Sequence, residues 1–182
     1  KNGRYRCIAV LIHVEVQGQP DDELERRMFM YNYRAFDKFG EQGAEVFSAA
    51  VLTDENPGYR PNKYRVDLWD FELHMKFPII KIIDYNTVPE LKRELETSPN
   101  PMAIIVNAQL KSHQYKKKDI EQKFNVTLEL IRMCYRAGYL KKQIRVLLKF
   151  IDWVIRLPGY LTQKLSEEIV KIEEESKMEY IP

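Results

Sequence analysis

Between Tyr5 and Gln17 the chain reads YRCIAVLIHVEVQ, and its side chains alternate in character at every second position. Ile8, Val10, Ile12, Val14 and Val16 fall on one face; Cys7, Ala9, Leu11, His13, Glu15 and Gln17 fall on the other. A helix would scatter both sets around its axis, so the segment reads as a β-strand. One face is purely branched aliphatic and the other turns polar toward its end, the pattern of a central strand that carries a site where it leaves the sheet. Just ahead of it, Asn2-Gly3 favours a two-residue hairpin turn. A hairpin has two arms, so the sequence predicts a partner strand upstream of Lys1.

Gly18-Gln19-Pro20 ends the first strand, and Asp21 and Asp22 offer a cap and first-turn acid for a helix running to about Phe39, with Gly40 as its stop. A second strand reads from Val46 to Thr53, before the turn cluster Asp54-Glu55-Asn56-Pro57-Gly58. From Val66 to Phe77 alternation predicts one half-buried antiparallel strand, followed by the short apolar segment Ile79 to Ile83. Helices are expected at Pro89 to Thr97 and from Pro101 to Ser112.

Three helical stripes complete the chain: Ile120, Phe124, Leu128, Ile131, Cys134 and Tyr135; Ile144, Leu147, Leu148, Ile151 and Ile155; and Leu161, Leu165, Ile169 and Ile172. Gly138 closes the first and Pro158-Gly159 the second. The expected architecture is an α/β core over residues 1–112 with a helical C-terminal part, 113–182, packed on it.

Composition narrows the function. With 45% hydrophobic residues, 7 Gly and 9 Pro, the 182-residue chain is neither disordered nor collagen-like. Its 29 basic and 27 acidic residues leave a charge of +2, too near neutral for the whole molecule to act as a polycation on nucleic acid. Any basic surface must be local. Cys7 and Cys134 match no metal-ligand spacing, and they read as buried free thiols in a reducing compartment. The longest apolar run, Ile8 to Ile12, is far short of the ~20 residues a bilayer crossing needs. Neither a membrane span nor a signal peptide is visible, so the default location is cytoplasmic.

The polar end of the first strand is the sharpest candidate site. Glu15 and Gln17, two apart, project from the same face about 7 Å from one another along the strand. A carboxylate there suits a hard cation such as Mg²⁺, to which the Val16 carbonyl could add an oxygen. Gln17 carries no charge to act as a base, but its amide can orient a water. The plainer reading is a solvated strand rim.

This segment, IHVEVQGQPDDELERRMFMYNYR, resembles the ExQ strand and following helix of the Rpn group of recombination-promoting nucleases and transposases, within the PD-(D/E)xK nuclease superfamily. LTDENPGYRP, FPIIKIIDY, NPMAIIVNAQLK and FIDWVIRLP are similar to a bacterial branch of that group, so the likeness covers most of the chain. The resemblance implies a restriction-endonuclease-like mixed sheet core that hydrolyses the DNA backbone with a divalent metal, expected to be Mg²⁺. Glu15 matches the metal-liganding acid. Gln17 matches the motif's last position, where the superfamily more often has lysine and this group often has glutamine. The family's aspartate, on the preceding strand, has no counterpart in the sequence and belongs on the expected upstream arm. With Glu15 as the only motif acid, the 182-residue chain alone is expected to be inactive. A nuclease fold whose site has decayed, kept as a nucleic-acid or protein-binding module, is the alternative, and a helical interaction scaffold is a third.

Arg27, Tyr31, Arg34 and Lys38 recur at spacings of four, three and four, a basic and aromatic helix face able to meet phosphates. In the family, Arg27 and Tyr31 match the same motif region. From Lys111 to Lys149 eleven basic residues stand against three acidic ones, whereas Thr162 to Pro182 holds three against six. Lys116, Lys117 and Lys118, with Lys123, Lys141 and Lys142, could steer a DNA backbone without reading sequence. Solvated helix faces are the plainer account of both groups. DNA is the expected partner, and a homo-oligomer is compatible with the sequence. His13 shares the face of Glu15, and Asp70, Glu72 and His74 line one side of a strand; a packed histidine and a solvent-facing surface are their simplest readings.

Overall fold

The computed structural model describes residues 9–114 and 119–178. The chain divides into two compact units, Lys1–Ile83 and Asp84–Pro182. Asn2-Gly3, Cys7, Ile8 and Lys116 to Lys118 lie outside the described residues, and so does the expected hairpin turn.

The first unit is built on a parallel β-α-β arrangement. Strand β1 (Ala9–Gln17) leads to helix α1 (Leu24–Phe39), a short 3₁₀ turn (Gly40–Gln42), and strand β2 (Ala44–Leu52). Gly43 adopts a φ of 82°, a left-handed conformation that suits glycine, and redirects the chain into β2. Register pairs His13 with Ser48, Glu15 with Ala50 and Gln17 with Leu52. On the far side of β2 runs β5 (Ile79–Lys81), also parallel, with Leu52 opposite Lys81. The sheet order is β1-β2-β5. Among the described residues β1 is therefore an edge strand and β2 the middle one.

Helix α1 covers the face of β1 that carries His13, Glu15 and Gln17. Leu24 and Met28, one turn apart, pack on Ala50, Leu52 and Phe77, and all five are buried. Small side chains at Ser48 and Ala50 let the helix approach, and burying Leu24 stabilises the unit by roughly 1.5–3 kcal/mol. The aliphatic face has the opposite fate. Val10, Ile12, Val14 and Val16 are each more than half exposed, beside exposed Phe47 and Ile80. In this sheet the polar side is the covered one.

Residues Val66 to Phe77 form a hairpin rather than the expected single strand. Strands β3 (Lys63–Leu68) and β4 (Phe71–Lys76) pair antiparallel, with Leu68 opposite Phe71 and only Trp69-Asp70 between them. The apolar positions had marked the turn: they are even at Tyr64, Val66 and Leu68, then odd at Phe71, Leu73 and Met75. A two-residue turn imposes that slip of phase. The hairpin meets α1 through Phe29, whose ring stacks on Tyr64 at 4.9 Å.

The second unit is helical: α2 (Asp84–Thr87), α3 (Pro89–Thr97), α4 (Pro101–Gln114), α5 (Ile120–Arg136), α6 (Lys141–Ile155) and α7 (Thr162–Met178). Asp119 caps α5 by accepting from the Gln122 amide at 3.2 Å, and Gly138 follows that helix with φ 69°. Ile104 and Ala108 of α4 share a core with Leu130, Cys134, Ile144, Leu147 and Ile151. A boundary at residue 112 separates α4 from these partners, whereas the division after Ile83 keeps them together. Among the described residues no helix is long and apolar enough to cross a membrane.

Candidate functional site

Three oxygen-bearing side chains converge on one guanidinium where β1 ends. Arg27 Nε donates to Glu15 Oε1 at 3.2 Å and Nη2 to Gln17 Oε1 at 2.8 Å, while Nη1 donates to Asp21 Oδ2. The sequence explains each placement. Strand period two aligns Glu15 with Gln17, α1 lies over that face, and Arg27 is one turn beyond Leu24, which anchors the helix. Asp21 comes from the connection before α1. It does not cap the helix as expected: the residue at the cap is Glu23, and Asp21 Oδ1 instead accepts from the Glu23 amide at 2.9 Å.

Water still reaches the cluster, since the Glu15, Arg27 and Asp21 side chains are 19, 29 and 33% exposed. The hydrogen bond from Arg27, helped by the Glu23 amide, holds the Asp21 carboxyl below its ordinary value. The same pair raises Arg27 further above its own. Glu15 is thus neutralised on one side by Arg27. On the other its Oε2 lies 3.7 Å from His13 Nε2.

Behind Glu15 the covered face continues in polar residues. His13 Nδ1 lies 3.1 Å from Ser48 Oγ, which also accepts from Asn32 Nδ2 at 3.0 Å. Tyr31 sets its ring edge-on to His13 at 5.6 Å. Serine, histidine and carboxylate stand in a row, but Ser48 is only 5% exposed beneath α1, so a substrate carbonyl has no approach to it. These groups satisfy one another and hold the helix over the strand.

A buried ion pair supports the connection beside the site. Lys81 Nζ donates to Asp54 Oδ2 at 2.6 Å and to the Tyr59 carbonyl at 3.2 Å. The Tyr59 hydroxyl in turn donates to the Asp21 carbonyl at 2.8 Å. The 54–59 turn therefore links the floor of β5 to the loop that presents Asp21. Burial raises the Tyr59 phenol, keeping it a donor.

The structure brings Glu15, Gln17, Arg27 and, more loosely, Tyr31 together. Arg34 and Lys38 are exposed farther along α1 and make no contact with the cluster; Lys38 lies over the Phe39 ring at 5.0 Å. The Val16 side chain leaves by the open aliphatic face. In the second unit Lys123 lines a cleft with Gln109, Ser112, Trp153 and Arg156, while Lys141 pairs with Glu173. Asp70, Glu72 and His74 are exposed, and Glu72 is paired with Arg65 at 3.0 Å. Asp21, Asp54, Tyr59 and Lys81 were not singled out for a site by the sequence. Lys81 alone had left a signal, as a charge inside the apolar run from Ile79 to Ile83.

Among the described residues no three His, Cys, Asp or Glu side chains group as a metal site. Two carboxylates and one amide oxygen nevertheless meet at a single cation, the guanidinium of Arg27, and such an oxygen set suits a hard divalent metal. Water would have to supply the remaining positions. Comparison of the chain with protein-family models, with curated proteins and with solved structures finds no match.

Proposed function

We propose that this protein is a metal-dependent DNA endonuclease of the Rpn type, with a restriction-endonuclease-like core, acting in the cytoplasm. The observation that carries the reading is that Glu15 and Gln17 leave the same side of a parallel strand and meet Arg27 of the following helix. Glu15, with Asp21 close by, would hold Mg²⁺; when bound, such a cation supplies an activated water and neutralises charge on the scissile phosphate. Gln17 positions a water through its amide oxygen, while its Nε2 is held by the Gln19 carbonyl at 2.6 Å. Tyr31, Arg34 and Lys38 extend from the site along α1 as a surface for the DNA backbone, with Lys116, Lys117 and Lys118 as a second basic contact.

One observation favours the alternative of a decayed nuclease that only binds. Arg27 already neutralises Glu15, and Gln17 brings no positive charge to a transition state. Plasmid nicking separates the two. Protein carrying the expected upstream strand should convert supercoiled plasmid to open circles in Mg²⁺ and not in EDTA. DNA binding without nicking under both conditions would leave the binding module.

A further inference from the structure

Glu15, Gln17 and Asp21 each give one oxygen to a different nitrogen of a single guanidinium. The three oxygens therefore ring one planar cation, each within hydrogen-bond reach of it. A hard divalent cation entering the site seeks the same oxygens, and two cations cannot share them without strong repulsion. From this geometry, and resting on the metal-dependent reading above, we infer that Arg27 is an internal counter-cation that competes with the metal, and that Asp21 is the second carboxylate of the metal site.

The arrangement makes metal loading an exchange. Arg27 holds the two carboxylates together and keeps their mutual repulsion in check while no metal is present. A divalent cation displaces the guanidinium, and the released fork, still tethered on α1 beside the site, is free to meet a phosphate oxygen. The Tyr59 hydroxyl on the Asp21 carbonyl and the Glu23 amide on Asp21 Oδ1 keep that loop placed during the exchange. His13 also faces Glu15, its Nε2 3.7 Å from the opposite carboxylate oxygen, Oε2.

The test is Mn²⁺ binding, followed by calorimetry and electron paramagnetic resonance, with no cleavage assay involved. Arg27→Met should bind Mn²⁺ at least about tenfold more tightly than the unaltered protein. Adding Asp21→Asn or Glu15→Gln to that variant should remove the gain. Equal or weaker binding by folded Arg27→Met overturns the competition, and so does a gain that survives Asp21→Asn; either result leaves Glu15 as a metal ligand. Failure of every form to bind Mn²⁺ removes the competition together with the metal-dependent reading. Should Arg27→Met not fold, the ¹⁵N resonance of Arg27 Nε in the unaltered protein gives the answer. It should move toward the position of a free guanidinium as Mg²⁺ is added, and a fixed resonance with Mg²⁺ bound refutes the exchange.

Discussion

Lys81 Nζ lies 2.6 Å from Asp54 Oδ2, and both side chains are shielded from water, at 0 and 3% exposed. Burying two charges is costly, but the Tyr59 carbonyl takes a second Lys81 proton and the Asn56 amide donates to Asp54 Oδ1 at 3.0 Å. Removing one partner strands the other. Lys81→Met should therefore cost about 3–5 kcal/mol in chemical denaturation, whereas the joint replacement of both residues by apolar ones should cost far less. A loss below about 1 kcal/mol for Lys81→Met would show that the pair is not sealed.

Asp21 gives the protein an acid dependence. Because Arg27 holds its carboxyl below the ordinary 3.8, the unfolded chain binds the proton more readily than the folded one. The resulting stability is fully present above about pH 3.8 and is lost as the pH falls through the lower native value. Thermal midpoints of Asp21→Asn should decline less steeply in that acid range than those of the unaltered protein. Parallel curves would mean that Asp21 and Arg27 are not paired in solution.

Cys134 lies in the helical core, where desolvation pushes its thiol up to about 11. The thiolate, which is the reactive form, is then scarce at ordinary pH, and reagent cannot reach the sulfur. A Cys7→Ser form, leaving Cys134 as the sole thiol, should resist aromatic disulfide reagents while folded and react once per chain in denaturant. Stoichiometric reaction of the folded form would contradict the burial.

Trp69 takes a φ of 50° at the β3–β4 turn and is 94% exposed. A bulky residue gains little there from packing and pays in backbone strain on the order of 1–3 kcal/mol, which glycine avoids at the expense of a more flexible unfolded chain. Trp69→Gly should leave stability unchanged or raise it by up to about 1 kcal/mol. A loss larger than that would assign the indole a contact of its own.

Much of this architecture was legible in local pattern. The alternation in β1, the Pro89 and Pro101 starts and the apolar stripes of α5, α6 and α7 lie where period and punctuation place them, because each is decided by neighbours a few residues apart. What failed depends on distance along the chain. Alternation does not say which face of β1 a helix will cover, so the open aliphatic face was hidden. The β3–β4 turn was readable in the phase slip at Leu68 and Phe71.

The site divided in the same way. Glu15 and Gln17 share a face by local geometry alone, and the covering helix brings Arg27 to them. Asp21 resembles a helix cap in sequence, and only the folded loop turns it toward Arg27. Asp54 and Lys81 are 27 positions apart and meet through the pairing of β2 with β5. No linear motif encodes that meeting.

In the proposed reading the Glu15 carboxylate carries metal-dependent cleavage of DNA. The most direct measurement is plasmid cleavage in Mg²⁺ by Glu15→Gln, with the expected upstream strand present in both forms, compared with the unaltered protein at matched DNA occupancy. Cleavage should fall to the level seen in EDTA while DNA binding is retained; cleavage undiminished in the folded variant would remove Glu15 from the chemistry and contradict the account.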